Sequence, residues 1–133
     1  MSHFAKKCLF SAVNGIVLLD GKPVSGAEVE HFYHWDGPDK SNRITVKTDA
    51  EGWFSVDAIY DDAAMTYFLP TSPSIQQELT IRHEGREYEA YLVFKKNYDE
   101  NGELGGKPLS LVCDLDDEPG NDGGFYGICR LAE

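Results

Sequence analysis

An all-β sandwich is the fold class this sequence predicts, and three observations predict it. Apolar residues recur with a period of two, which places one face of a strand on a core and the other in water. Turn signals separate these runs: Asp20-Gly21, Ser25-Gly26, Asp36-Gly37-Pro38, Glu51-Gly52, Glu84-Gly85, Asn101-Gly102, Gly105-Gly106 and Gly123-Gly124. Finally, no window shows an amphipathic helix, and the one helical candidate, 57–66, is short.

The expected strands follow in order. The first spans 8–19, where Cys8-Leu9-Phe10 and Ile16-Val17-Leu18-Leu19 are apolar around Asn14-Gly15. The second, 26–35, carries Val29 and the aromatic segment His31-Phe32-Tyr33-His34-Trp35. In 42–48, Ile44, Val46 and Thr48 alternate with Thr45 and Lys47; in 53–59, Phe54, Val56 and Ala58 alternate with Trp53, Ser55 and Asp57. A strand at 64–69 carries Met65, Tyr67 and Phe68. Strands at 77–84 (Leu79, Ile81) and 86–95 (Tyr88, Ala90, Leu92 and Phe94 against Glu89, Tyr91 and Val93) are joined by Glu84-Gly85, a tight hairpin signal. The last two lie near 107–115 and 124–131. Together they predict one Greek-key sandwich of roughly seven to nine strands.

The chain of 133 residues suits one domain spanning 1–133, with 1–7 as a loose N-terminal segment. Twelve Lys and Arg against 23 Asp and Glu leave a formal charge of −11, which disfavours nucleic acid and an anionic membrane surface as partners. Lys6-Lys7 followed by a short apolar run resembles a signal peptide, but the run holds Ser11 and no small-residue cleavage site follows. No run approaches the ~18 apolar residues of a membrane span. The expected location is the cytoplasm.

Three cysteines are too few and too odd in number for a secreted disulfide scaffold. Cys113 and Cys129 each have the parity of the apolar side of their strands. If those strands are neighbours a bridge fits the geometry, but buried free thiols are the expectation in a reducing compartment. No zinc-ligand spacing is present.

A resemblance adds to this reading. Residues 15–29, with Asp20-Gly21-Lys22-Pro23-Val24-Ser25-Gly26-Ala27, and the segment Thr48-Asp49-Ala50-Glu51-Gly52-Trp53-Phe54, resemble transthyretin-like (prealbumin-like, carboxypeptidase regulatory-like) domains. In that pattern Gly26 lets the chain cross to the neighbouring sheet, and the Asp49–Gly52 turn joins two antiparallel strands as Phe54 enters the core. Cys8-Leu9-Phe10-Ser11 and Leu111-Val112-Cys113-Asp114-Leu115 further resemble a bacterial family of uncharacterised small transthyretin-like proteins. The end, Tyr126-Gly127-Ile128-Cys129-Arg130, departs from the Tyr-Arg-Gly-Ser motif of hydroxyisourate hydrolase, so that activity is not implied. Pilin-type Lys–Asn cross-linking is not implied either, because residues 9–19 hold no Lys and 124–131 no Asn.

Among candidate ligands, His31 and His34 have opposite strand parity and make poor joint metal ligands; half-buried strand histidines are expected. The segment 114–122 holds five carboxylates, Asp114, Asp116, Asp117, Glu118 and Asp122, without the spacing of a helix-loop-helix calcium site. No catalytic signature, metal site or cofactor motif emerges. The expected function is therefore non-catalytic binding of a basic protein, with Asp114, Asp116, Asp117 and Glu118 steering it and Tyr33, Trp35 and Tyr67 as anchors. Its sharpest form is an immunity or adaptor protein for a bacterial secreted effector of the type VI kind. The alternatives are a small-molecule, carbohydrate or calcium-binding sandwich using Trp35 or Trp53 as a platform, and, less favoured, a hydroxyisourate-type hydrolase. An exposed edge strand could pair two copies.

Overall fold

The computed structural model describes residues 7–61 and 73–132. Its strands are β1 (Lys7–Phe10), β2 (Val13–Leu19), β3 (Lys22–Pro23), β4 (Glu28–Trp35), β5 (Lys40–Lys47), β6 (Trp53–Val56), β7 (Ile59–Asp61), β8 (Ile75–His83), β9 (Arg86–Lys95), β10 (Leu109–Asp114), β11 (Gly120–Asp122), β12 (Phe125–Gly127) and β13 (Cys129–Leu131), with one 3₁₀ turn at Gly102–Leu104. The expected strand at 64–69 lies outside the described residues.

Two sheets form the layers. One is ordered β13-β10-β2-β3, with β6 also on β2; the other runs β11-β12-β9-β8-β4-β5, and a β1-β7 ribbon stands beside them. Within the first layer β10 and β2 run parallel, while β10 and β13 are antiparallel. One core lies between the layers: Val17, Phe54, Leu109 and Leu111 from the first meet Val29, Leu79, Ile81, Tyr91 and Phe125 from the second. Burying such side chains stabilises the fold by about 1.5–3 kcal/mol each.

Two glycines let the chain change layer. Gly26, at φ 76°, turns the chain from β3 in one sheet to β4 in the other. Gly127, at φ 147°, lies so close to β9 that a Cβ there would meet the Ala90 carbonyl. Beyond it the Ile128 amide donates to the Glu89 carbonyl (2.9 Å), and the chain crosses to pair β13 with β10. The expected single strand at 124–131 is thus two strands in different sheets. The Asp49–Gly52 turn likewise carries the chain between layers, since β6 pairs with β2 and not with β5. Phe54 still enters the core, while Trp53 points outward at 48% exposure.

Two further strand expectations are corrected. The stretch 8–19 breaks at Ser11 and Ala12, because the Ser11 amide donates to the Glu103 carboxylate (2.8 Å) instead of joining a ladder. On β9 the register against β8 shifts between Leu79 and Thr80, leaving Ala90 as an extra residue. Tyr88, opposite Ile81, faces the core, but beyond the bulge Tyr91, opposite Leu79, does so too. Leu92 and Phe94 therefore turn outward, Phe94 being 52% exposed, and Lys95 turns inward at 2%.

The expectation of free thiols is also corrected. Cys113 and Cys129 are directly opposite in the β10–β13 pair and form a disulfide, leaving Cys8 as the free cysteine, buried. The edges of the six-stranded sheet are β11 and β5, and β5 is exposed at all positions but Val46. Ile44, expected on a buried face, is 43% exposed because it sits on this edge. Lys40, Arg43 and Lys47 line the edge with charge, which discourages pairing with another chain.

Candidate functional site

The open face of the six-stranded sheet is built from the residues that point away from the core. Odd positions of β4 and β8 face inward, so even ones face out: Phe32 and His34 on β4, Gln76, Glu78 and Thr80 on β8. Because of the bulge, β9 contributes Glu89, Leu92 and Phe94 to the same side. The registers Phe32↔Glu78, Glu78↔Leu92 and Leu92↔Tyr126 align these four residues in one row across β4, β8, β9 and β12. Glu30, Thr80 and Glu89 form the neighbouring row. Phe94 and Tyr126, at 52% and 41%, are among the large apolar residues most exposed to solvent.

Charge on this face is unevenly matched. Glu30 accepts from Arg43 (2.8 Å) and Arg82 (2.7 Å), and Arg82 also bonds Glu87 (2.8 Å). The Arg43 guanidinium beside Glu30 holds that carboxyl below the usual range, against the opposing effect of desolvation. Arg43 in addition lies over the Phe32 ring, 4.7 Å from its centroid. Glu78 and Glu89 have no cation within ion-pair distance among the described residues. Partial burial, then the neighbouring Glu78 carboxyl, pushes Glu89 up to about 7, and its Oε2 is buried without a hydrogen-bond partner. A carboxyl raised in the fold adds stability at low pH that is lost as pH rises through about 7. Glu89→Gln is therefore expected to raise the melting temperature at pH 8 and to change it little at pH 5. Equal shifts at the two values in a thermal melt would count against the pairing.

A second polar group is sealed in the core and was not anticipated from sequence. Glu103, from the 3₁₀ turn, accepts from the Ser11 amide (2.8 Å), Ser11 Oγ (2.7 Å) and Gln77 Nε2 (2.7 Å). Lys95 Nζ lies 4.0 Å from Glu103, both side chains fully shielded, and donates to the carbonyls of Cys8 (2.8 Å) and Asp99 (2.6 Å). Gln77 Nε2 also bonds the Leu9 carbonyl (2.9 Å), and its Oε1 accepts from the Tyr91 hydroxyl (2.7 Å). Desolvation, with the Glu103 charge adding, raises the Tyr91 hydroxyl above its ordinary range, and burial raises the Cys8 thiol. Cys8 and Ser11, whose Sγ and Oγ atoms lie 3.5 Å apart, are buried. The signal that could have found this cluster was Lys95 itself, a charge directly after the apolar run Ala90–Phe94 of β9.

The residues expected to bind a partner are dispersed. Tyr33 and Trp35 occupy odd positions of β4 and lie in the core, at 9% and 1% exposure, Trp35 edge-on to Tyr98. They cannot anchor a partner on this surface, and Trp35 is no stacking platform. Tyr67 lies outside the described residues. The acidic stretch forms a turn at the far end of β10. Asp114 Oδ1 accepts from the Asp116 amide (2.9 Å), Asp116 Oδ2 from the Asp20 amide (3.1 Å), and Asp117 pairs with Arg130 (3.1 Å). Glu118 leads into β11, so the turn adjoins the Tyr126 edge of the open face. A cleft of 300 Å³ between Asp117, Glu118, Asn121 and Arg130 marks that junction. Among the described residues no cluster of three or more His, Cys, Asp or Glu is placed to hold a metal ion.

The histidines divide as their parity predicts. His34 is on the open face, bonded to Asp39 (3.0 Å). His31 is not half-buried: it is 1% exposed, packed on Phe10 at 4.0 Å between centroids, and neither ring nitrogen has a partner.

No helix among the described residues is long and apolar enough to cross a membrane. No curated protein matches the chain. Among solved structures, 3-ChloroCatechol 1,2-Dioxygenase from Rhodococcus Opacus 1CP is similar at 17% identity and a TM-score of 0.37, a likeness too low to carry any argument. It covers 91% of this chain, which spans only 59% of the dioxygenase's length. Residues 13–118 match the family described as Domain of unknown function (DUF6795), and since this is most of the sequence, the chain belongs to that family.

Proposed function

We propose that the protein is a non-catalytic binding module that meets a basic protein partner on the open face of its six-stranded sheet and on the adjoining acidic turn. The observation that carries this reading is the outward Leu92, Phe94 and Tyr126 beside the uncompensated Glu78 and Glu89. Apolar and aromatic groups dominate interface energetics, and surrounding charge of one sign speeds encounter with the opposite sign. The net charge of −11 and the Asp114, Asp116, Asp117 and Glu118 turn support a cationic partner. The sealed state of Cys8 and Ser11 supports a role without catalysis.

In its sharpest form the module is an immunity or adaptor protein for a bacterial secreted effector, on a transthyretin-like sandwich in which Gly26 makes the sheet crossing. The Cys113–Cys129 bridge favours an oxidising compartment over the expected cytoplasmic location. Affinity purification of the tagged protein from its native host is expected to recover one stoichiometric basic partner. Phe94→Ala with Tyr126→Ala is expected to weaken that complex by about 2 kcal/mol or more, the scale of interface hot spots. Retention of the partner by this double variant, with the fold intact by circular dichroism, would place the interface elsewhere.

A further inference from the structure

The protein-binding reading can be taken to a single chemical contact, and the inference here rests on that reading. We propose that Glu78 and Glu89 form a socket for one arginine side chain of the partner, whose flanking residues rest on Leu92, Phe94 and Tyr126.

The geometry supplies each part. Glu78 stands opposite Leu92 in the β8–β9 ladder and Glu89 opposite Thr80, so the bulge at Ala90 places the two carboxyl groups on one face, diagonal to each other. Tyr126 extends the Glu78–Leu92 row, and Phe94 lies two residues beyond Leu92 on the same side. Carboxylates this near repel unless they share a proton or meet a cation.

The cations of this face are committed elsewhere. Arg43 and Arg82 hold Glu30, and Arg82 also holds Glu87. Of the remaining charged groups on this side, Glu28 on β4 adds negative charge, Lys47 on β5 lies opposite Glu28 with β4 and β8 between it and Glu89, His34 bonds Asp39, and Lys96 lies over the Phe94 ring, 5.9 Å from its centroid, and donates to Ser74 Oγ (3.4 Å). A guanidinium is the cation that fits: its planar fork bonds two carboxyl groups at once, and its face stacks on aromatic rings. Two carboxylates alone are a poor cage for calcium, which takes six to eight oxygen ligands.

The test uses the full chain, isotopically labelled, with the peptide acetyl-Trp-Arg-Trp-amide as probe and its citrulline counterpart as the uncharged control. Saturable shifts are expected at Glu78, Glu89, Leu92 and Tyr126. The citrulline peptide is expected to bind about tenfold more weakly, equivalent to about 1.4 kcal/mol, and so is the arginine peptide to the Glu78→Gln, Glu89→Gln double variant. Since the arginine stays charged while the carboxyl pair gives up its proton, binding at pH 8 should be about threefold or more tighter than at pH 6. Equal binding of the two peptides, shifts confined to the 114–118 turn, or no saturable binding would each overturn the socket. A host partner whose affinity is unchanged by the same double variant would overturn it too, yet leave the protein-binding reading standing. That reading falls only if no partner is recovered.

Discussion

Glu103→Ala is expected to destabilise the protein by about 3–5 kcal/mol, the cost of leaving a buried charge without its partner. Lys95 would remain in the core with only the carbonyls of Cys8 and Asp99 as acceptors. The Ser11 amide and one Gln77 amine contact would also lose their acceptor. Since Ser11 is where the chain breaks between β1 and β2, the damage should extend to the β1–β7 ribbon. Urea unfolding followed by tryptophan fluorescence measures the effect, because Trp35 lies in the same core. Glu103→Gln keeps the shape and part of the bonding, and should cost less. A Glu103→Ala midpoint within about 1 kcal/mol of the parent would show that water enters and solvates Lys95.

Acid should weaken the fold through His31. Burial depresses its pKa from 6.5 to about 4, with no partner on either ring nitrogen to favour the charged form. The unfolded chain therefore binds a proton that the folded chain refuses between those two values. Stability present above pH 6.5 is lost as pH falls, and the loss is complete near pH 4. At 1.36 kcal/mol per unit this amounts to about 3 kcal/mol. His31→Leu should remove that slope and, by deleting two unsatisfied buried nitrogens, raise stability at neutral pH by about 1–3 kcal/mol. Comparing the two proteins across pH 7 to 4 isolates His31, because every carboxyl group, Glu89 included, is common to both. Parallel curves would show that His31 has an acceptor or a water bonded to it.

Much of the architecture was legible because alternation reports directly on which side of a strand is dry. Phe54, Val56, Leu79 and Ile81 sit in the core as their parity predicts. Gly26 makes the expected crossing, and the Glu84-Gly85 hairpin joins β8 to β9. The opposite faces of His31 and His34 followed from the same period of two. The candidate site was less legible. Tyr33 and Trp35, read as surface anchors, are on the inward side of β4, and the aromatic content of that segment could not distinguish a core from an interface.

Fold class, turns and most of the core follow from local pattern: strand period, turn chemistry and the number of apolar residues. Where that pattern is broken depends on contacts between segments distant in the chain. Ala90 is an extra residue solely because β8 sets the register opposite it, and Gly127 from a distant strand leaves room for its carbonyl. That one bulge sends Leu92 and Phe94 to the surface and Lys95 into the core. Glu103 neutralises Lys95, a near neighbour in the chain, and draws Ser11, 92 positions away, out of the strand. Pairing register and the capture of Ser11 by Glu103 are properties of segments brought together by folding, and no local window contains both partners.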